Sequence, residues 1–281
     1  MSGASEELPV TIIRPSPGWR LPDPALLWRH RDLLLLLIRR DFTVRYRQTL
    51  LGPAWLLLQP LALTGMFTVI FKGFSLFPTD SRPAVLFYFS GLIGWSYASQ
   101  LVASTGGTFV SNAALFGKVQ FPRLVMPLAS ACSGLFAVIL QLIMLGIMTA
   151  ATNEPIILWR LLLLPFIFLA IATLALSLGL WIASSTAKYR DLSIATPFLL
   201  QLWLFATPII YPLSSVPEAW RSILVLINPL APLIESLRWV LIGTGSVRPL
   251  WLVTALIEIA ILFLIGALLF QRVERTVVDT V

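Results

Sequence analysis

The sequence predicts an all-α integral membrane protein, and three observations support that prediction. Of its 281 residues 58% are hydrophobic and 12% are charged, and the mean hydropathy is +0.88. An ordinary soluble domain carries roughly 25% charged residues, so this composition excludes one. Several apolar runs are about 20 residues long, enough for a helix to cross a hydrocarbon core of about 30 Å. The segments that join these runs differ in how many basic residues they hold.

Six membrane spans are predicted from hydropathy. They cover about residues 50–71, 84–103, 124–151, 156–183, 194–213 and 250–270. The first span begins where Arg45 and Arg47 give way to an uncharged run from Leu50 to Phe71. Gly52-Pro53 marks the turn into this helix, because proline is tolerated in a first helical turn, where its missing N–H costs nothing.

Two segments precede the transmembrane domain, which covers residues 49–281. Residues 1–22 are polar and proline-rich and are predicted to be irregular, with no signal peptide. Residues 23–48 are predicted to form an amphipathic helix in the membrane interface, with arginines at the lipid headgroups. The alternative is a cytoplasmic helix packed on a partner protein. The arginines assigned to this helix are Arg29, Arg39, Arg40, Arg45 and Arg47.

The distribution of basic residues predicts the orientation in the membrane. The amino-terminal segment and the loops on its side hold 14 of the 20 lysines and arginines, and the other side holds 6. The positive-inside rule therefore places both termini in the cytoplasm. For the same reason the net charge of +7 is interpreted as a signal of membrane orientation, and no nucleic-acid partner is expected. Because Cys132 is the single cysteine, no intrachain disulfide is possible.

Residues 213–249 lie on the external side but do not have the composition of a hydrophilic loop. Two apolar runs, Val216 to Ile227 and Leu230 to Ile242, are separated by Asn228-Pro229. Each run is too short to span the membrane, so two re-entrant or interfacial helices are predicted over residues 216–242. Each run holds an acidic and a basic residue at i,i+3 spacing, and each helix is predicted to pair its own charges. The pairs are Glu218 with Arg221 and Glu235 with Arg238.

Four motifs resemble the membrane subunits of bacterial polysaccharide ABC exporters, which belong to the type-two exporter superfamily. The first is the entry to the first span, residues 44–60, with its Arg-Tyr-Arg run, its Leu-Gly-Pro-Ala-Trp turn and its Gln-Pro pair. The others are the loop at residues 111–123, the Tyr-Arg-Asp sequence at 189–191, and the proline-containing elements at 207–212 and 216–230. The resemblance extends over nearly the whole chain beyond residue 23.

The resemblance implies a permease that exports a lipid-linked polysaccharide across the bacterial inner membrane. It further implies a homodimer among membrane lipids, each copy bound to a separate cytoplasmic ATPase subunit that holds ATP and Mg²⁺. This chain itself is expected to hold no cofactor or metal and to be no enzyme. Gly117-Lys118 lacks the remainder of a phosphate loop, since Asn112 and Val119 stand where that motif needs glycine and a hydroxyl. His30 is the only histidine, so no His-based metal or nucleophile cluster is expected.

Two predicted cytoplasmic loops are similar to the segments of the family that receive the ATPase stroke. The first loop is predicted to form a compact knob that docks on the ATPase, and an ordinary polar turn between spans is the alternative. The residues that the resemblance assigns to coupling are Asn112, Leu115, Phe116, Lys118, Phe121, Arg123, Tyr189, Arg190 and Asp191.

Aromatic residues of the first and fifth spans are predicted to line the glycan path, because aromatic rings stack on sugars and Tyr and Trp add a polar group. Packing in the core or against lipid is the alternative. The predicted path residues are Trp55, Phe67, Phe71, Trp203, Phe205 and Tyr211. A helical period would place Trp203, Thr207 and Tyr211 on one face. The external gate is assigned to Glu218, Arg221, Asn228, Pro229, Glu235 and Arg238.

Three other functions remain alternatives at this point. A drug or lipid exporter of the same superfamily would share the fold. An ion-coupled flippase usually needs several ionisable groups in the membrane, whereas the predicted spans hold Arg160 near one end and Glu258, which could equally be a structural group. A membrane glycosyltransferase would need acidic residues clustered near the membrane surface, and the sequence shows no such cluster.

Overall fold

The computed structural model describes residues 24–72, 79–80, 82–112, 121–189 and 191–276, and all regular secondary structure in those ranges is helical. The α-helices are α1 (Pro24–Arg29), α2 (Arg31–Tyr46), α3 (Trp55–Phe67), α4 (Ala84–Gly106), α5 (Thr108–Ser111), α6 (Val125–Ala151), α7 (Leu164–Thr186), α8 (Leu192–Ala206), α9 (Glu218–Ile227), α10 (Leu230–Ile242) and α11 (Pro249–Thr276). Turns of 3-10 helix precede α3, α7 and α9, and a π-helical turn extends α3 to Lys72.

Four helical segments of the described chain are long and apolar enough to cross a membrane. They are Gly52–Phe71, Val125–Ala151, Leu158–Thr186 and Pro249–Glu274. The pair α9–α10 would be a fifth if counted as one broken span, and α8 is a shorter apolar helix. The prediction of an all-helical membrane protein is thus confirmed, with four to five apolar candidate spans.

Helix α4 forms the centre of the bundle and packs against α3, α6, α7 and α10. Its residues Phe87, Tyr88 and Phe89 are fully buried. Gly94 allows α10 to approach closely, because a Cβ there would lie 2.6 Å from Ile234 Cδ1. Since neighbouring helices cover α4, its glycines, serines and tyrosines pack against protein and are tolerated at membrane depth. This explains why a 23-residue helix is absent from the apolar candidates.

Helix α2 lies against the start of α6. Leu37 is buried there with Val125, Met126 and Ala129. The neighbouring Leu35 and Leu36 remain exposed. The leucines of α2 therefore point both into the bundle and away from it, which fits a helix at the edge of the membrane.

The first span enters through the turn that Gly52 and Pro53 make. Gly52 has a φ of +53°, a left-handed conformation that glycine adopts without steric cost, and Pro53 lies in the first 3-10 turn. Within α3 the buried positions are Pro60, Thr64 and Phe67, which form one stripe. None of residues 52–59 is buried. The span is thus packed on the bundle beyond Pro60 and largely uncovered before it.

The fifth predicted span is shorter than the predicted range of 194–213. Helix α8 ends at Ala206, and Thr207 has extended backbone angles (φ −100°, ψ 140°). The cause is Pro208, because a proline disfavours helical geometry at the residue before it. After the following turns, α9 and α10 meet at an angle of 105° across Asn228-Pro229. Helix α10 is buried over most of its length, whereas α9 is largely exposed.

Candidate functional site

A cavity of about 810 Å³ lies between α3, α4, α6 and α8. Aromatic rings and polar side chains make up part of its wall, and none of the described residues that line it carries a formal charge. Its polar and aromatic residues are Trp55, Gln59, Trp95, Ser96, Tyr97, Ser99, Gln100, Gln141 and Gln201. Such a wall offers amides, hydroxyls and flat rings together, which is the chemistry that binds the hydroxyls and ring faces of a sugar.

Three of the polar lining residues, Ser96, Tyr97 and Gln141, are hydrogen-bonded to neighbouring helices. The Tyr97 hydroxyl donates to the Ala131 carbonyl at 3.1 Å. The Gln141 amide donates to a carbonyl of α3. The other three glutamines of the lining are Gln59, Gln100 and Gln201. Their side chains make no hydrogen bond with another described residue, so their side-chain amides are available to a ligand.

The predicted path aromatics separate in the structure. Trp55 lines the cavity and is half exposed. Phe67 is buried and packs edge-to-face on Tyr88 at 5.9 Å. Phe71 and Tyr211 pack against the same core, and Phe205 is exposed outside the cavity. The cavity is therefore lined by Trp55 of α3, by Trp95 of α4 and by glutamines, and the other five predicted path aromatics do not line it.

Trp203 lies behind the cavity wall. Its ring packs edge-to-face on Trp95, which lines the cavity, with centroids 5.4 Å apart. Its indole Nε1 donates to Asn228 Oδ1 at 3.0 Å. The prediction that Trp203, Thr207 and Tyr211 share one helical face is wrong, because α8 ends before Thr207. Thr207 instead accepts a hydrogen bond from the Asn228 amide at 2.9 Å.

The end of the bundle that is predicted to be external is held by a buried ion pair within α10. Arg238 Nη1 lies 2.9 Å from Glu235 Oε1, and both side chains are almost completely excluded from solvent. The guanidinium also donates to the Ile209 carbonyl at 2.7 Å and lies 3.8 Å from the centre of the Phe87 ring. Gly91 makes room for it, since a Cβ at that position would lie 2.7 Å from Nη2.

The Glu235 carboxylate also joins α10 to the loops on both sides. Oε1 accepts from the Leu213 backbone N–H at 3.3 Å, and Oε2 accepts from that of Ser246 at 2.8 Å. Residues before α9 and before α11 are thus tied to one buried charge pair. Both carboxylate oxygens of Glu235 are hydrogen-bonded, whereas Arg238 Nε has no hydrogen-bond partner among the described residues. The pair therefore holds the elements that meet there through the carboxylate and the two terminal nitrogens of the guanidinium.

The predicted pairing of charges in α10 agrees with the structure, but that in α9 is wrong. Arg221 turns back and donates to the carbonyls of Ser214 and Val216 at 2.9 and 2.8 Å. Glu218 lies 3.6 Å from Arg248 instead. The reason is the 3-10 turn before α9, which presents carbonyl groups to the arginine.

Asn228 and Pro229 occupy the break between α9 and α10. The Asn228 side chain accepts from the Trp203 indole and donates to the Ala206 carbonyl at 3.2 Å. It therefore holds the end of α8 against the start of α10.

Further ion pairs and cation–π contacts brace the same end of the bundle. Arg82 pairs with Glu154 and joins two interhelical loops. Arg160 lies near an end of its span as predicted, with its guanidinium 4.0 Å from the centre of the Trp239 ring. Arg160 also donates to the Trp239 carbonyl at 3.0 Å.

On the opposite side several predicted coupling residues fall outside the described part of the chain, namely Leu115, Phe116, Lys118 and Arg190. Arg40 of α2 donates to Asn112 Oδ1 at 3.3 Å, which links the amino-terminal helix to the start of that loop. Arg123 is buried, and its backbone N–H donates to Glu274 Oε1 at 2.9 Å. Burial lowers the pKa of the Arg123 guanidinium, and the Glu274 carboxylate opposes that shift.

The other predicted residues of this side lie at or near the surface. Tyr189 and Asp191 are exposed at the start of α8, and Phe121 packs beside α2. Arg29, Arg39 and Arg47 are exposed, which suits contact with headgroups, and the side chain of Arg45 lies outside the described atoms.

The glutamines are the functional candidates that sequence reasoning missed. Gln59 belongs to the Gln-Pro pair of the entry motif, but no binding role was predicted for Gln59, Gln100, Gln141 or Gln201. The available signal was their place in or near apolar spans, because polar side chains at membrane depth are costly and usually face a cavity or another helix.

The fold and the cavity are those of an integral membrane transport protein. The chain belongs to the ABC-2 type transporter family, whose model matches residues 32–242. That range runs from the first turn of α2 to the end of α10.

Three curated relatives agree with this assignment. The O-antigen export system permease protein RfbA of Myxococcus xanthus is 32% identical over 217 residues, which cover 75% of this chain and 80% of the relative. Two proteins of the same name from Klebsiella pneumoniae are each 27% identical, one over 246 residues (86% of this chain, 92% of the relative) and one over 210 residues (74% and 79%). All three are named as permeases, in keeping with the expectation that the chain is a transport subunit and no enzyme.

Proposed function

We propose that this chain is the permease subunit of an ABC exporter that moves an O-antigen-like, lipid-linked polysaccharide across the bacterial inner membrane. The family match and the three O-antigen export permeases support the class of transporter. The observation that carries the substrate class is the uncharged cavity of amides and aromatic rings between the first and fifth spans.

In the proposed architecture α3, α4, α6, α7, α8 and α11 each cross the membrane, and α9–α10 re-enter from the external side. The central position of α4 supports its inclusion, because covered helices need less apolar sequence. Both termini lie in the cytoplasm, as the excess of basic residues on that side indicates. Two copies form the working unit, and each binds one ATPase subunit that holds ATP and Mg²⁺.

The cavity would bind successive sugars loosely as the chain passes. Trp55 and Trp95 provide flat apolar faces for sugar rings. The side-chain amides of Gln59, Gln100 and Gln201, which have no partner among the described residues, exchange hydrogen bonds with hydroxyls. Neither kind of contact demands one linkage, which suits a polymer that must keep moving.

Force from the ATPase would enter through the loop after Asn112 and through α2. The hydrogen bond between Arg40 and Asn112 supports this route, since it joins the two elements directly. Helix α2 in turn packs on the start of α6, whose side chains form part of the cavity wall.

The test is export by cells that carry this permease, its ATPase and a lipid-linked glycan. Gln201→Leu and Trp55→Ala should each lower surface polysaccharide at unchanged membrane abundance of the permease. Ile139→Ala is the matched control, because Ile139 is exposed on α6 but does not line the cavity. Normal export by both cavity variants would contradict the assignment of the cavity.

The proposed orientation has its own test. In a Cys132→Ser background, Ser246→Cys should react with a membrane-impermeant thiol reagent from the external side, and Ser2→Cys from the cytoplasmic side. Labelling of Ser246→Cys from the cytoplasm alone would overturn the topology.

A further inference from the structure

Pro60 lies within the first span and leaves one backbone carbonyl without its helical partner. In an α-helix each N–H donates to the carbonyl four residues earlier, and proline has no N–H. The carbonyl that loses its donor is that of Leu56. Such a group is costly wherever it is shielded from water, because the missing donor is then not replaced.

Gln141 of α6 supplies the missing donor. Its Nε2 donates to the Leu56 carbonyl at 3.0 Å, and its side chain is 3% exposed. Because a carbonyl only accepts, the amide nitrogen must face Leu56 and the amide oxygen must face away. The oxygen lies 3.1 Å from the Ser96 hydroxyl of α4, which donates to it. One buried amide therefore joins three helices at the wall of the cavity.

The part of the first span before Pro60 has little else to hold it. None of residues 52–59 is buried, whereas Pro60, Thr64 and Phe67 are. Among the described residues, the bond from Gln141 is the one hydrogen bond that ties residues 52–60 to another helix. The same segment brings Trp55 and Gln59 to the cavity.

We propose that Gln141 is a positioning residue for transport and that Pro60 is the hinge on which it acts. The bond to the Leu56 carbonyl fixes the angle of residues 52–59 against the rest of the first span. When this bond opens, the segment turns about Pro60 and the cavity widens between the first and fifth spans. The role in export rests on the proposed function, but the hinge is a property of the chain alone.

If Pro60 is the hinge, the effect of Gln141→Leu on the first span depends on the presence of Pro60. Pro60→Ala restores an N–H that satisfies the Leu56 carbonyl within the helix, so the carbonyl no longer depends on the donor from Gln141. Gln141→Leu should therefore have a large effect in the parent and a small one in Pro60→Ala. Gln100→Leu is the matched control, since Gln100 lines the same cavity but its side chain makes no hydrogen bond with a described residue.

The direct measurement is the mobility of a spin label at Gln59→Cys, in a Cys132→Ser background, with the purified permease in lipid nanodiscs. Loss of one interhelical hydrogen bond in a membrane changes an equilibrium constant by about three- to tenfold. Gln141→Leu should raise the ratio of mobile to immobile label by about that factor, and Pro60→Ala should remove most of the rise. A label at Met66→Cys, beyond the proline, should change little in any variant, and Gln100→Leu should not reproduce the effect.

Export provides the second readout. Gln141→Leu should lower export per permease, and the loss should be much smaller when Pro60→Ala is present, whereas Gln100→Leu should have the same effect in both backgrounds. The inference would be overturned if Gln141→Leu changed label mobility or export equally in the parent and in the Pro60→Ala background. If Gln141→Leu fails to accumulate in the membrane, Pro60→Ala must restore its abundance, and failure to do so would equally overturn it. Absence of export by the parent would refute the proposed function instead, while the label spectra still report the hinge.

Discussion

Replacing Arg238 should destabilise the protein far more than breaking an exposed ion pair at the same end of the bundle. Arg238→Met removes the guanidinium that lies 2.9 Å from Glu235 and 2.7 Å from the Ile209 carbonyl. The Glu235 carboxylate then keeps only the backbone donors of Leu213 and Ser246. Leaving a buried charge without its partner costs about 3–5 kcal/mol, so the variant should lose stability of that order.

The matched control is Glu218→Gln. Glu218 and Arg248 lie 3.6 Å apart, with side chains 81% and 52% exposed. Pairs of this kind contribute about 0–1 kcal/mol. The double variant Glu235→Gln, Arg238→Met should recover much of the loss of Arg238→Met, because it removes both charges.

Thermal unfolding in detergent would measure these differences. At about 2–4 °C per kcal/mol for a chain of this size, Arg238→Met should lower the Tm by roughly 6–20 °C, against a few degrees at most for Glu218→Gln. A Tm decrease for Arg238→Met as small as that for Glu218→Gln would refute the reasoning. It would show that the Glu235 carboxylate is satisfied without the arginine.

Three further outcomes are expected. Gly91→Ala should lower the Tm by displacing Arg238, whose Nη2 would lie 2.7 Å from the new Cβ. Gly146→Ala should not, because apart from its own stretch of helix no described atom lies within 4 Å of the new Cβ; equal Tm values for the two variants would contradict this. Trp203→Phe should reduce export and the Tm, because phenylalanine keeps a ring but cannot donate to Asn228, and such a hydrogen bond contributes about 1 kcal/mol. Export and a Tm equal to those of the parent would exclude a role for this hydrogen bond. Phe116→Ala, a prediction from the sequence alone, should lower the amount of ATPase that co-purifies with the permease. Recovery of as much ATPase as with the parent would exclude Phe116 as an anchor.

The sequence predicted the features that a short stretch of chain determines. The turn at Gly52-Pro53 and the break at Asn228-Pro229 depend on the backbone limits of glycine and proline, which act on adjacent residues. Both appear where the residues indicated. Pro208 carried the same kind of local signal, and extending the helical period of Trp203 beyond it produced the wrong shared face.

The interactions between helices could not be predicted in the same way. The spacing of Glu218 and Arg221 allowed a pair, but the backbone carbonyls of the preceding turn took the arginine. Periodicity shows that a helix has a polar position and does not show which neighbour that position meets. The partners of Trp203 and Arg160 likewise depend on which helices pack together, and one sequence does not contain that information.

Pro60 shows how far sequence reasoning can still go at such positions. A proline inside a membrane helix always leaves one carbonyl open, and in hydrocarbon that carbonyl needs a donor from elsewhere. The sequence therefore indicates that the Leu56 carbonyl needs another donor, and glutamines in the apolar spans are candidates for it. Only the packing of α6 against α3 selects Gln141 among them, through the 3.0 Å bond. Because that bond joins a weakly covered part of the first span to the wall of the cavity, a requirement of backbone chemistry becomes a means of controlling the proposed path.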